Sequence, residues 1–244
     1  MTHTRDESAR SAESQVVGLI LAAGGGRRLG GRPKALLEHR GRPLVEHAVR
    51  TLRTAGCTRV HVVLGAAADA VRERARLDGC VLVENPDWAQ GMGTSLRAGL
   101  ASLPRPAPPA GPPAVGARTG EGGARTGEGG AGSGEGDARA EEGGARAVLV
   151  LLVDQPGIGP QAVARVLAAY GGESSLVSAA YDGERGHPVL FGARHWAGVA
   201  ATATGDRGAR AYLGEHREAL TLVECGDVAR PFDIDTPEDL AHLE

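Results

Sequence analysis

The chain reads as an α/β protein with a mostly parallel sheet covered on both faces. Three observations predict this. Continuous apolar runs of strand length recur along the sequence, the pattern of strands buried on both faces. Amphipathic stretches with helical spacing separate them. The first run, VVGLIL from Val16, breaks into Gly24, Gly25 and Gly26 and then into Arg27, Arg28, Arg32 and Lys34. A strand feeding a glycine-rich turn beside cations is how such sheets hold phosphate, because glycine lets backbone N–H groups close on the oxygens.

The elements follow in order. Strands are expected at 16–23, 59–65, 80–84, 147–153, 175–181, 187–191 and 220–225. The first helix is expected at 43–55, where Leu44, Val45, Ala48, Val49 and Leu52 form one apolar stripe. Further helices are expected at 67–76, 94–103, 160–170 and 236–243. The stretches 186–192 and 220–226 are candidates for a pair of strands outside the simple alternation. In such sheets ligands bind at the carboxyl ends of the strands.

Two segments do not fit this alternation. Residues 1–14 are polar and of mixed charge, and are expected to be a disordered tail. Residues 104–146 hold six prolines and thirteen glycines, with Val115 the one apolar side chain larger than alanine. GARTGEG at 116–122 repeats at 123–129. Such a segment cannot bury enough surface to offset its ordering entropy, so it reads as a disordered insertion in one domain spanning 15–244.

The bulk numbers exclude several classes. The net charge is −3, so no global basic footprint marks a nucleic-acid partner. Three cysteines (Cys57, Cys80 and Cys225) lie far apart, without zinc spacing. No apolar run is long enough for a bilayer and the N-terminal residues lack a signal-peptide core, so a cytoplasmic, membrane-free protein is expected.

The glycine loop fails two familiar tests. A dinucleotide fingerprint counted from Gly24 and Gly26 meets Leu29 where its third glycine belongs, and a Walker A loop needs Ser or Thr after Lys34, where Ala35 stands. Asp154 ends an apolar strand and faces the ligand crevice, although a turn or cap is an ordinary use for such an aspartate. Asp235 precedes Thr236 and Pro237, a plain helix start. In GMGTSLRAGL a helix start with Thr94 and Ser95 offers N–H groups to an anion, or is simply capped by those side chains. His187 reads as structural by default. Asp206 and Arg210 either contact an acceptor or pair on one helix. Trp88 and Trp196 read as packing anchors.

The loop LAAGGGRRLGGRPKALL resembles the opening signature of the MobA-like nucleotidyltransferases. ENPDWAQGMGTSLRAGL (84–100), LLVDQPGI (151–158), GHPVLF (186–191), GDRGAR (205–210) and DIDTPEDL (233–240) follow in that family's order. Together they look like its molybdenum cofactor cytidylyltransferase branch. The resemblance implies a three-layer α/β/α, Rossmann-like nucleotidyltransferase fold. It places nucleotide on Leu21, Ala22, Ala23, Gly24, Gly25, Arg28, Lys34, Gly91, Ser95 and Asp154. Arg28, Lys34 and Asp154 would be catalytic, Asp154 and Asp235 would hold Mg2+, and Asp233 would be a weaker substitute. His187, Asp206 and Arg210 would face the acceptor. The implied reaction transfers CMP from CTP to molybdenum-molybdopterin, with transient contact to a molybdoenzyme or its chaperone. Ala23 points to cytidine over guanine. A guanylyltransferase acting with GTP on the same pterin or on phospholactate, and a non-catalytic nucleotide-binding assembly protein, are the alternatives.

Overall fold

The computed structural model of the protein describes residues 15–104 and 144–243. The expected tail and nearly all of the expected insertion lie outside the described residues. A small hairpin pairs β2 (Glu38–His39) with β3 (Arg42–Pro43). The main sheet contains β1 (Val16–Leu21), β4 (Val60–Leu64), β5 (Cys80–Glu84), β6 (Ala147–Leu152), β7 (Leu176–Tyr181), β8 (Glu184–Gly192) and β9 (Thr221–Glu224). All seven expected strands are present. Their spatial order is β5-β4-β1-β6-β8-β7-β9.

Pairing is parallel from β5 through β6 and again between β7 and β9. β8 alone runs antiparallel, to both β6 and β7. The expected pair outside the alternation is therefore one strand. β7 and β8 are joined by a tight turn with Asp182 and Gly183 at positive φ, which forces antiparallel pairing. β9 lies apart from β8, on the far side of β7.

Side-chain alternation on β1 builds two cores. Val16 and Ile20 face α1 (Leu44–Thr54), α2 (Ala68–Arg74) and α4 (Pro160–Ala168). Val17, Leu19 and Leu21 face α3 (Met92–Ala101), α5 (Trp196–Thr202) and α6 (Arg210–Glu215). Glycines set the approach of the layers. A Cβ on Gly18 would lie 2.7 Å from Leu52 Cδ1 of α1, and one on Gly99 of α3 would lie 2.7 Å from Leu19. Each helix can sit this close because the opposing residue has no side chain.

The helices α5 and α6 carry no expectation from the sequence; each is one to two turns long and too short for a legible period. The expected helix at 236–243 is a 3-10 turn over Glu238–Leu243. Its end is pinned to the hairpin, where His39 Nδ1 donates to the Leu243 carbonyl at 3.0 Å. Flanking the expected insertion, the described chain closes on itself. Ala145 N donates to Pro104 O at 2.9 Å, and Arg146 N to Gln15 O at 2.9 Å. Pro104, Ala145 and Arg146 thus belong to the described fold. Among the described residues no helix is long and apolar enough to cross a membrane.

Candidate active site

The carboxyl ends of β1, β5 and β6 open into one cavity of about 590 Å³. The first wall is the loop after β1. Ala22 N donates to Val63 O and Ala66 N to Ala23 O, tying the strand end to β4. The loop then turns tightly. Gly26 has φ 61°, and a Cβ there would lie 1.9 Å from the Arg32 carbonyl oxygen. Leu29 N and Gly31 N both donate to Gly26 O. Leu29 and Ala35 are buried and anchor the two ends of the turn. Gly24, Gly25, Arg28 and Lys34 are thereby left facing the cavity.

The second wall is the end of β6. Asp154 follows Val153, and its carbonyl accepts a 2.9 Å bond from Ile234 N. Ile234 is fully buried. This bond places Asp235 beside Asp154. Asp239 holds the Asp235 backbone in turn, accepting from Asp235 N at 2.9 Å and from Thr236 N at 2.7 Å. These bonds keep the Asp239 carboxyl below its usual range.

Lys34 joins the two walls. Its ammonium donates to Asp154 Oδ2 at 2.6 Å and also to Asp235 Oδ1. Arg28 reaches the other Asp235 oxygen at 3.2 Å from a largely exposed position. Burial works against the Lys34 charge, but Asp154 and then Asp235 outweigh it and raise its pKa. Lys34 is therefore a fixed cation near neutral pH. Beside this cluster, Gln155 Nε2 donates to Asp233 at 2.8 Å. Burial, and then the charges of Asp154 and Asp235, push the Asp233 carboxyl upward. Asp233 is thus held by Gln155 and not by Lys34.

The third wall is the start of α3. Gly91, at φ 109°, caps the helix with no side-chain bond. The expected capping by Thr94 or Ser95 is absent, because both hydroxyls belong to a buried network. Asn85 Nδ2 donates to Thr94 Oγ1 at 2.9 Å and to Ser95 Oγ at 3.0 Å, while Thr94 Oγ1 donates to the Gly91 carbonyl. Gly91 N donates to the Trp88 carbonyl and Thr94 N to the Gly91 carbonyl, and Gly91, Met92 and Ser95 line the cavity. A Cβ on Gly91 would lie 2.7 Å from Asp206 Oδ1, so Asp206 closes the same wall.

The cavity thus gathers Leu21, Ala23, Gly24, Gly25, Arg28 and Lys34 with Gly91, Ser95, Asp154, Asp206 and Asp235. Three expected residues fall elsewhere. Ala22 packs into the α1-side core. His187 and Arg210 do not line the cavity. His187 is half-buried; burial, and then Arg210 and Arg185, push its pKa down to about 4, so it is neutral at physiological pH. Asp206 and Arg210 do not share a helix, since Gly208 at φ 52° breaks the chain between them. Arg27, one of the cations expected after the glycines, also lines the cavity, whereas sequence reasoning missed Asn85 and the cavity-lining Gln90 and Met92. It took Trp88 for packing alone, yet Trp88 lines the cavity and lies against Gly25. A polar residue at a strand's carboxyl end was the available signal for Asn85.

Among the described residues no group of three or more His, Cys, Asp or Glu side chains could hold a metal ion. Asp154 and Asp235 nevertheless converge on a single cation, the Lys34 ammonium. Two carboxylates completed by phosphate oxygens and waters suit a hard divalent ion.

The model of the MobA-like NTP transferase domain matches residues 18–220, and the chain belongs to that family. The protein is thus of the nucleotidyltransferase class. It is 37% identical over 235 residues to nicotine blue oxidoreductase of Paenarthrobacter nicotinovorans, covering 93% of this chain and 96% of that protein. Among solved structures, it superposes on the Rv0371c homologue from Mycobacterium sp. strain JC1 with a TM-score of 0.66 and 26% identity, over 94% of this chain and 97% of that one. The manganese complex of Rv0371C from Mycobacterium tuberculosis gives a TM-score of 0.61 at 25% identity, with the same coverage. A divalent metal is therefore found in a structure of this family.

Proposed function

We propose that the protein is a Mg2+-dependent cytidylyltransferase that transfers CMP from CTP to the terminal phosphate of molybdenum-molybdopterin. The observation that carries the reading is the convergence of Lys34, Arg28, Asp154 and Asp235 at one end of a glycine-walled cavity. The acceptor phosphate is anionic near neutral pH and attacks the α-phosphorus in line, so no general base is needed. The bond to the bridging oxygen breaks, and pyrophosphate leaves with the electron pair. Catalysis of this kind is mostly positioning and neutralisation.

Each residue then has a task. The backbone of Gly24 and Gly25 approaches the triphosphate, and Arg28 and Lys34 balance the charge gathering on the leaving pyrophosphate. Asp154 and Asp235 would hold Mg2+, which supplies a Lewis acid against the phosphate oxygens when bound. The α3 start, with Gly91 and Ser95, presents polar groups to the nucleoside, and Ala23 narrows the base pocket. The Ala23 methyl favours cytidine over guanine by about 1–3 kcal/mol at most. Asp206 marks the side from which the acceptor enters.

Incubation with each NTP, Mg2+ and the molybdenum cofactor tests the reading. Pyrophosphate release with CTP is expected, and its absence with CTP but presence with GTP would turn the reading to a guanylyltransferase. The likeness to nicotine blue oxidoreductase supports a second reading, redox chemistry on nicotine blue. That reading predicts a change in the absorption spectrum of nicotine blue when the protein and a chemical reductant are added. The carboxylate pair and the loop cations favour transfer.

A further inference from the structure

Lys34 stands where a divalent ion shared by Asp154 and Asp235 would have to act. Its ammonium bonds both carboxylates. Lys34 and Asp154 are mostly buried, with side-chain exposures of 15% and 19%. The backbone of each aspartate is fixed from behind, the Asp154 carbonyl by the Ile234 N–H and the Asp235 N–H by the Asp239 carboxylate. Like charges brought together in a partly buried place need a cation between them. The chain supplies its own.

Lys34 is also built to leave. Its backbone is held by Pro33 before it and by buried Ala35 after it, while the four-carbon stem stays flexible. The anion-binding wall of Gly24 to Gly26 lies in the same cavity. A polyanion on that wall competes with the two carboxylates for the ammonium.

We propose that Lys34 is the resident counter-ion of the divalent-cation site, so that the nucleotide-free protein excludes the metal and a triphosphate and its cation enter together. A polyphosphate draws Lys34 away and uncovers the carboxylates; without one, metal and lysine compete. Metal and triphosphate affinities are then positively coupled, each raising the other by the same factor. The nucleotide half of this device rests on the proposed transferase function, whereas the competition between lysine and metal does not.

Binding of Mn2+ alone, followed through the resonance of the free ion, tests it on the full-length protein. Without nucleotide, Lys34→Met is expected to bind Mn2+ at least about tenfold more tightly than wild type. Arg28→Gln removes an exposed charge that touches Asp235 but does not lie between the carboxylates, and should tighten binding by less than about threefold because solvent screens it. Adding CTP should tighten Mn2+ binding to wild type and do so much less in Lys34→Met. No tightening in Lys34→Met, or equal tightening in Arg28→Gln, would overturn the proposal. Lys34→Gln repeats the measurement should the methionine variant fail to fold. If the metal-only result holds but CTP has no effect, the competition stands and the choice of CTP is what fails.

Discussion

At the scale of single residues the site is a charge balance. Asp154 and Asp235 are each held by backbone bonds, and their side chains share one lysine. Asp154→Asn and Asp235→Asn keep the shape and remove one charge each. Each is expected to lower the rate of CTP-dependent pyrophosphate release by about 10²–10³-fold, with the melting temperature little changed. His187 belongs to a different account. Its pKa falls to about 4, first through burial and then through Arg210 and Arg185. Between about pH 6.5 and pH 4 the unfolded chain takes up this proton and the folded chain does not. Stability from this group is therefore complete above pH 6.5 and drains away as the pH falls, by up to about 3 kcal/mol. Urea midpoints from pH 8 to pH 4.5 should fall more steeply in wild type than in His187→Gln.

At the scale of elements the loop after β1 shapes the cavity through its backbone. Gly26 and Gly30 both adopt positive φ, at 61° and 68°. Their surroundings differ. A Cβ at Gly26 would strike the Arg32 carbonyl, while one at Gly30 meets nothing within 4 Å. Gly30→Ala should cost only the left-handed strain, about 1–2 kcal/mol. Gly26→Ala should cost more and weaken CTP binding at least about tenfold, since the turn that aims Arg28 and Lys34 must reopen. Paired thermal melts and nucleotide titrations read both effects. The start of α3 shows the same dependence on backbone. The sequence makes Thr94 and Ser95 look like caps, but both hydroxyls serve Asn85. Which donor a short polar side chain serves depends on what the next element brings near it, and β5 brings Asn85.

At the scale of the whole molecule, the two-sided core joins residues on both sides of 105–143. The chain ends flanking that segment already meet, through the 2.9 Å bond between Ala145 N and Pro104 O. A short Gly/Ser turn in place of 105–143 is expected to keep the fold and raise stability by at most about 2 kcal/mol through the shorter loop. Thermal unfolding and Mn2+ binding of the shortened chain check this. Unchanged metal binding is expected, because Lys34, Asp154 and Asp235 all lie outside the replaced segment.

The sequence alone determined the layers and the glycine-rich loop that walls the cavity. Apolar runs and helical stripes make the seven strands of the main sheet and α1 to α4 legible, although β5 and β9 turn out to be exposed edge strands, and the short β2–β3 hairpin has no such run. The glycine cluster next to cations is a local signal, and so it too is legible. The sequence could not determine the antiparallel direction of β8, which depends on a turn at Asp182 and Gly183, nor the short helices α5 and α6. It also could not separate His187 and Arg210 from the cavity while keeping Asp206 in it. Above all, tertiary structure alone brings Lys34 to Asp154 and Asp235, 120 and 201 positions away. A spacing of that size has no periodicity to read. It is decided by the sheet order that sets β1 beside β6, and by the one backbone bond that lays Ile234 against the end of β6.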